Sequence, residues 1–138
     1  MISRFIKRLV NIFRWLPVIW NDYEWDYDFF LVLIEKKLEY MLAFWESDAP
    51  VSGNKKINAF QIRETLEALK RYLTDDYCKN ELQEYEFRHP VPWTLQELKR
   101  RGVDDEFRDL LTAIEVQKQA DFDFVFSSLR KNLQTWWD

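Results

Sequence analysis

Glycine, histidine and cysteine are almost missing from this chain of 138 residues, which has two Gly, one His and one Cys. Gly53 and Gly102 cannot build a phosphate-cradling loop or a dinucleotide fingerprint, because those need several glycines at fixed spacing. The lone His89 excludes a multi-histidine metal site and argues against a Ser-His-Asp arrangement. The lone Cys78 excludes an internal disulfide and a CxxC zinc clamp. No uninterrupted apolar run approaches the roughly 20 residues that span a bilayer. Charges interrupt the apolar N-terminus, and no small-residue cleavage site follows it, so no signal peptide is read. The expected location is therefore cytoplasmic. Segments of alternating hydrophobicity are short and hairpin glycines are lacking, so no significant sheet is expected.

Aromatic residues, by contrast, are plentiful: they make up 17% of the chain and include seven Trp. Hydrophobic residues at 47% and charged residues at 32% give the balance of a globular protein. The length predicts a single domain, residues 1–138. Net charge is −4, but its sign is segregated. Residues 1–20 carry Arg4, Lys7, Arg8 and Arg14 and no acid, which leaves 16 bases against 24 acids in the rest. So acidic a body is a poor partner for nucleic acid, since non-specific binding depends on neutralising phosphates. Strong nucleic-acid binding is not expected.

Helical periodicity runs through most of the chain. In residues 2–16, Ile2, Phe5, Ile6, Leu9, Phe13 and Leu16 line one face, and Pro17 is expected to end or kink this helix. The simplest reading docks that face on a core. Contact with an anionic membrane surface or with a partner is the alternative, although a membrane partner is not the expectation. Residues 27–46 form the strongest helix, with Phe30, Leu33, Ile34, Leu38, Met41, Leu42 and Trp45 along one side. Lys37 stands inside that stripe, where it either snorkels to the rim or meets an anion.

Ser47–Asn54 reads as a loop, followed by a helix carrying Ile57, Ile62, Leu66, Leu69 and Leu73. Phe60 and Tyr72 flank that apolar face. Helical character resumes through Leu82 and Tyr85, and a loop holds His89, Pro90 and Pro92. Thr94-Leu95-Gln96-Glu97 is a capping-box pattern for a short helix that stops at Gly102. Asp104 caps the next helix, and Asp121 either starts a separate final helix or marks a bend. Phe122, Val125, Phe126, Leu129, Leu133 and Trp136 give the last stretch its apolar face. Trp136 continues that stripe, whereas Trp137 is turned away to cover a neighbouring helix or a partner chain. The expected fold is all-α, a compact bundle of five or six helices.

Trp20-Asn21-Asp22-Tyr23-Glu24-Trp25-Asp26-Tyr27-Asp28 interleaves acids and aromatics more densely than any other segment. Capping the next helix explains one or two of those acids. A calcium loop does not fit, because Tyr27 holds the turn-glycine position and Leu33 the bidentate-glutamate position. No metal or other cofactor is expected. Asp22 and Asp26 can instead tie the basic first helix to the body, or belong to a binding surface.

Several landmarks resemble a group of small bacteriophage proteins whose members usually carry no assigned function. They are Arg14-Trp15-Leu16-Pro17-Val18-Ile19-Trp20 followed by Asp22 and Trp25-Asp26-Tyr27, then Lys37-Leu38-Glu39-Tyr40-Met41. Lys55-Lys56-Ile57, Gln61-Ile62 and Asp75-Asp76-Tyr77 match the group's middle. Leu129-Arg130-Lys131-Asn132 and the terminal Trp136-Trp137-Asp138 match its end. The resemblance covers most of the chain in order, except between Tyr85 and Arg101. It implies a phage or prophage protein made in a bacterial host, and it brings no catalytic residue.

With that origin and so little catalytic equipment, the expectation is a non-enzymatic binding protein. Its most concrete form is an anti-defence sponge that sequesters a nucleotide-like immune signal. Bases stack on aromatic faces, phosphates seek Arg and Lys, and hydroxyl and amino groups seek Asp. Arg14, Trp15, Trp20, Asp22, Trp25, Asp26, Lys37, Gln61 and Arg63 supply those types if they converge. The alternatives are a phage protein that inhibits or redirects a host protein, and a replication or packaging accessory. A homo-oligomer is compatible with each.

Overall fold

The computed structural model describes residues 2–20, 27–48, 53–89 and 105–137. They form α1 (Ile2–Trp20), α2 (Tyr27–Glu46), α3 (Lys55–Thr74), α4 (Lys79–Arg88) and α5 (Asp105–Trp137). The fold is all-α, and no strand occurs among the described residues. Among the described residues there are four long helices and one short piece, where five or six separate helices were expected for the chain. The capping box at Thr94 and the cap at Asp104 lie outside the described residues.

α5 runs unbroken for 33 residues through Asp121. Asp121 neither starts nor bends a helix. Its carboxylate is used sideways instead, accepting from Arg71 Nε at 3.0 Å and Nη2 at 2.7 Å, and from the Tyr77 hydroxyl at 2.8 Å.

The core is a seam of three helices. α3 packs against both α2 and α5, and α4 touches α5 more lightly. Glu46 pairs with Arg63, and Glu39 with Lys70 at 3.0 Å, so α2 and α3 run antiparallel. Thr65 meets Ser128 while Arg71 meets Asp121, so α5 also runs antiparallel to α3. On α2 the buried positions Leu31, Leu38, Met41 and Trp45, with half-buried Ile34, repeat at steps of three and four, the spacing of a coiled seam. Phe30 lies one position off that seam and is exposed, contrary to the stripe expected from sequence.

A polar strip runs between α3 and α5. Buried Thr65 donates to the Gln61 carbonyl at 2.8 Å, so the 2.6 Å contact with Ser128 has Ser128 as donor. Asn58 Nδ2 donates to the Thr135 carbonyl at 3.4 Å, and Trp136 Nε1 to Gln61 Oε1 at 3.1 Å. Among the described residues no buried side-chain N or O atom lacks a partner. Such satisfied polar pairs hold one helix register against sliding, because a shifted register would leave them buried and unpaired.

The Arg71–Asp121–Tyr77 cluster ends this strip. Hydrogen bonds from Arg71 hold the Asp121 carboxyl below its ordinary value of 3.8. A depressed carboxylate adds stability that is full above that value and lost as pH falls through the folded one. Asp121→Asn should cost about 1–2 kcal/mol at neutral pH, discounted for the exposed Arg71 partner. Urea melts at pH 7 and pH 3 test it: the gap between variant and wild type should shrink at the lower pH.

α1 departs most from expectation. It continues through Pro17 to Trp20 rather than ending at Leu16. A proline this close to a helix end removes only one late hydrogen bond, so the last turn survives. Nor does its apolar stripe dock on the core: Ile6, Leu9, Val10, Ile12, Phe13 and Leu16 are all exposed. Among the described residues, it meets the body at Tyr40 of α2. The Arg14 guanidinium carbon lies 4.6 Å from the Tyr40 ring centroid, and the Trp15 ring meets Tyr40 edge-on at 5.6 Å.

Candidate functional site

α2 and α5 run parallel, both flanking α3, and they meet at Trp45 and Trp136. Trp45 Nε1 donates to the Trp136 carbonyl at 3.0 Å. Trp136 is 2% exposed, while Trp137 is 66% exposed, as the 100° turn between neighbouring helical positions predicts. Beside this closed end lies an open groove of about 600 Å³. Its floor is apolar, formed by Met41, Leu129 and Leu133. Its rim carries Lys37 from α2 and Arg130, Gln134 and Trp137 from α5.

The α5 residues reach the groove because 130, 133, 134 and 137 are three, four and seven apart and so share one helix face. Lys37 answers them from α2, its Nζ lying 4.1 Å from the Trp137 ring centroid. The expectation that Lys37 snorkels or meets an anion thus resolves into a cation over an aromatic face at a groove rim. Neither Lys37 nor Arg130 has a carboxylate partner among the described residues. Two cations without a carboxylate partner among the described residues, one indole face and an apolar floor suit a ligand that is both anionic and aromatic.

Among the described residues, those expected from sequence to form a site do not all converge. Arg14 and Trp15 sit together at Tyr40. Trp20 is 80% exposed. Lys37 lines the groove. Gln61 is used by Trp136 Nε1, and Arg63 is paired with Glu46. Asp22, Trp25 and Asp26 lie outside the described residues. Sequence reasoning missed Arg130, Leu133, Gln134 and Trp137 as a set. Their shared helical face was readable, and only the facing Lys37 was needed to complete it.

A second hollow of about 360 Å³ lies between α3 and α5, lined by Phe60, Glu64, Phe124, Ser127 and Lys131 among others. Glu64 and Lys131 put opposite charges on its wall, so it offers no net positive charge to an anion. Among the described residues no group of three or more His, Cys, Asp or Glu is placed to hold a metal ion. No helix among the described residues is long and apolar enough to cross a membrane. Comparison with protein-family models, curated proteins and solved structures returned no match.

Proposed function

We propose that this chain is a non-enzymatic binding protein of phage origin that sequesters a nucleotide-like signal in the groove between α2 and α5. The observation that carries the reading is the juxtaposition of Lys37, Arg130 and Trp137 around an apolar floor. A base stacks on the exposed Trp137 face in place of the Lys37 ammonium. Lys37 and Arg130 then take the phosphates, Arg130 with its two-pronged donor geometry. Gln134 offers an amide to a base edge or ribose hydroxyl. The volume of about 600 Å³ lies within the range of small-molecule sites. The phage origin is supported by the sequence landmarks, and Lys37 and Trp137, each part of one landmark, line this groove.

The test is to incubate the protein in extract of phage-infected bacteria, repurify it, denature it by heat and identify released nucleotides by mass spectrometry. Wild type should release a phosphorylated nucleotide. Trp137→Ala combined with Arg130→Ala should release at least about 100-fold less, from one lost stack and one lost charged contact. Both positions are exposed at the rim, so the variant should melt as wild type does. A wild type that releases no nucleotide, or a variant that releases as much, overturns the reading.

A further inference from the structure

α1 divides into two faces, and the structure turns the unexpected one outward. At 100° per residue, Ile6, Leu9, Val10, Ile12, Phe13 and Leu16 cover an arc of roughly 160°. Lys7 and Arg14 border that arc on one side and Arg8 on the other, with Asn11 opposite. The helix contacts the body from its polar side, through Arg14 and Trp15 on Tyr40. Its apolar half-cylinder is left facing solvent, with Phe13 68% exposed and Ile12 57% exposed.

From this geometry we infer that α1 lies in the surface of an anionic lipid membrane, with its apolar face among the acyl chains and its bases at the headgroups. Width and charge decide for lipid over a second copy of the chain. A partner helix covers a narrow stripe, whereas a lipid surface accepts a half-cylinder. Bases on both borders of the apolar arc sit where anionic headgroups would lie on either side of an embedded helix. Residues 1–20 hold no acid, while the rest of the chain carries 24 acids against 16 bases. An anionic surface therefore attracts α1 and repels the body, which fixes which edge approaches. The helix is too polar to cross the bilayer, and lying in the interface does not require it to.

Co-sedimentation of the full chain with vesicles tests the inference. Vesicles of phosphatidylglycerol mixed with phosphatidylcholine should carry the protein down, and phosphatidylcholine alone should not. Phe13→Glu should abolish sedimentation with an unchanged melting temperature, since Phe13 is exposed in the free protein. Lys7→Glu with Arg8→Glu should weaken it by about 30-fold or more, and added salt should weaken it further. No sedimentation with anionic vesicles, equal sedimentation with both kinds, or a dimer in solution that Phe13→Glu dissociates would each overturn it.

Discussion

Trp136→Ala should lower the stability of this protein by about 3–5 kcal/mol, and Trp137→Ala by less than about 1 kcal/mol. The two residues are chemically identical neighbours at the same helix end, so the contrast isolates packing. Trp136 is 2% exposed and belongs to the core shared by α2, α3 and α5. Its indole nitrogen donates to Gln61, and its carbonyl receives the Trp45 indole, so it ties α5 to both other helices. Removing its ring opens a large cavity and strands the Gln61 amide oxygen. Trp137 is 66% exposed and loses only a cation–aromatic contact with Lys37. Denaturant melts of the two variants give the comparison. Equal small losses would mean that the end of α5 contributes nothing to the core.

Ile62→Ala should cost about 2–5 kcal/mol, whereas Ile57→Ala should change stability by no more than about 0.5 kcal/mol. Both isoleucines lie on the apolar face read from the sequence of α3. The structure separates them: Ile62 is fully buried and Ile57 is 57% exposed. Ile62 lies on the face of α3 that α2 and α5 enclose, one helical turn from Leu66 and two from Leu69, all three in one buried cluster. Ile57 lies in the same turn as buried Asn58 but points away from α2 and α5. The result is read from urea midpoints at constant slope. Similar losses at both sites would contradict the three-helix core.

The all-α class and the buried fate of Trp136 were legible in the sequence because periodicity and helix geometry decide them locally. Which residues of a stripe are buried was less so. Phe30 and Ile57 belong to apolar faces, but the buried seam runs through Leu31 and Asn58, one position away in each helix. That choice depends on where a neighbouring helix lies. Asp121 looked like a cap because acids are frequent helix starters. Its use by Arg71 and Tyr77 requires residues at least 44 positions away. The undocked stripe of α1 was hidden for a similar reason. Amphipathicity shows that a face needs covering, and says nothing of what covers it.

The site was half legible. Lys37 stood out as a cation inside an apolar stripe, and it lines the candidate groove. Arg130 and Trp137 looked ordinary on α5, since only the parallel approach of α2 sets them opposite Lys37. The bias toward the aromatic and acidic segment at 20–28 drew the expected site elsewhere, and its acids lie outside the described residues.

The α2–α5 groove is proposed to hold an anionic aromatic ligand. Calorimetric titration of the full chain with cyclic dinucleotides of adenosine and guanosine tests it most directly. Binding of at least one of them should be saturable at one site per chain. It should weaken by about 10-fold or more in Trp137→Ala, and again in Arg130→Ala, with the melting temperature of the free protein unchanged. Absence of binding across the series, or binding that neither substitution weakens, would contradict the account.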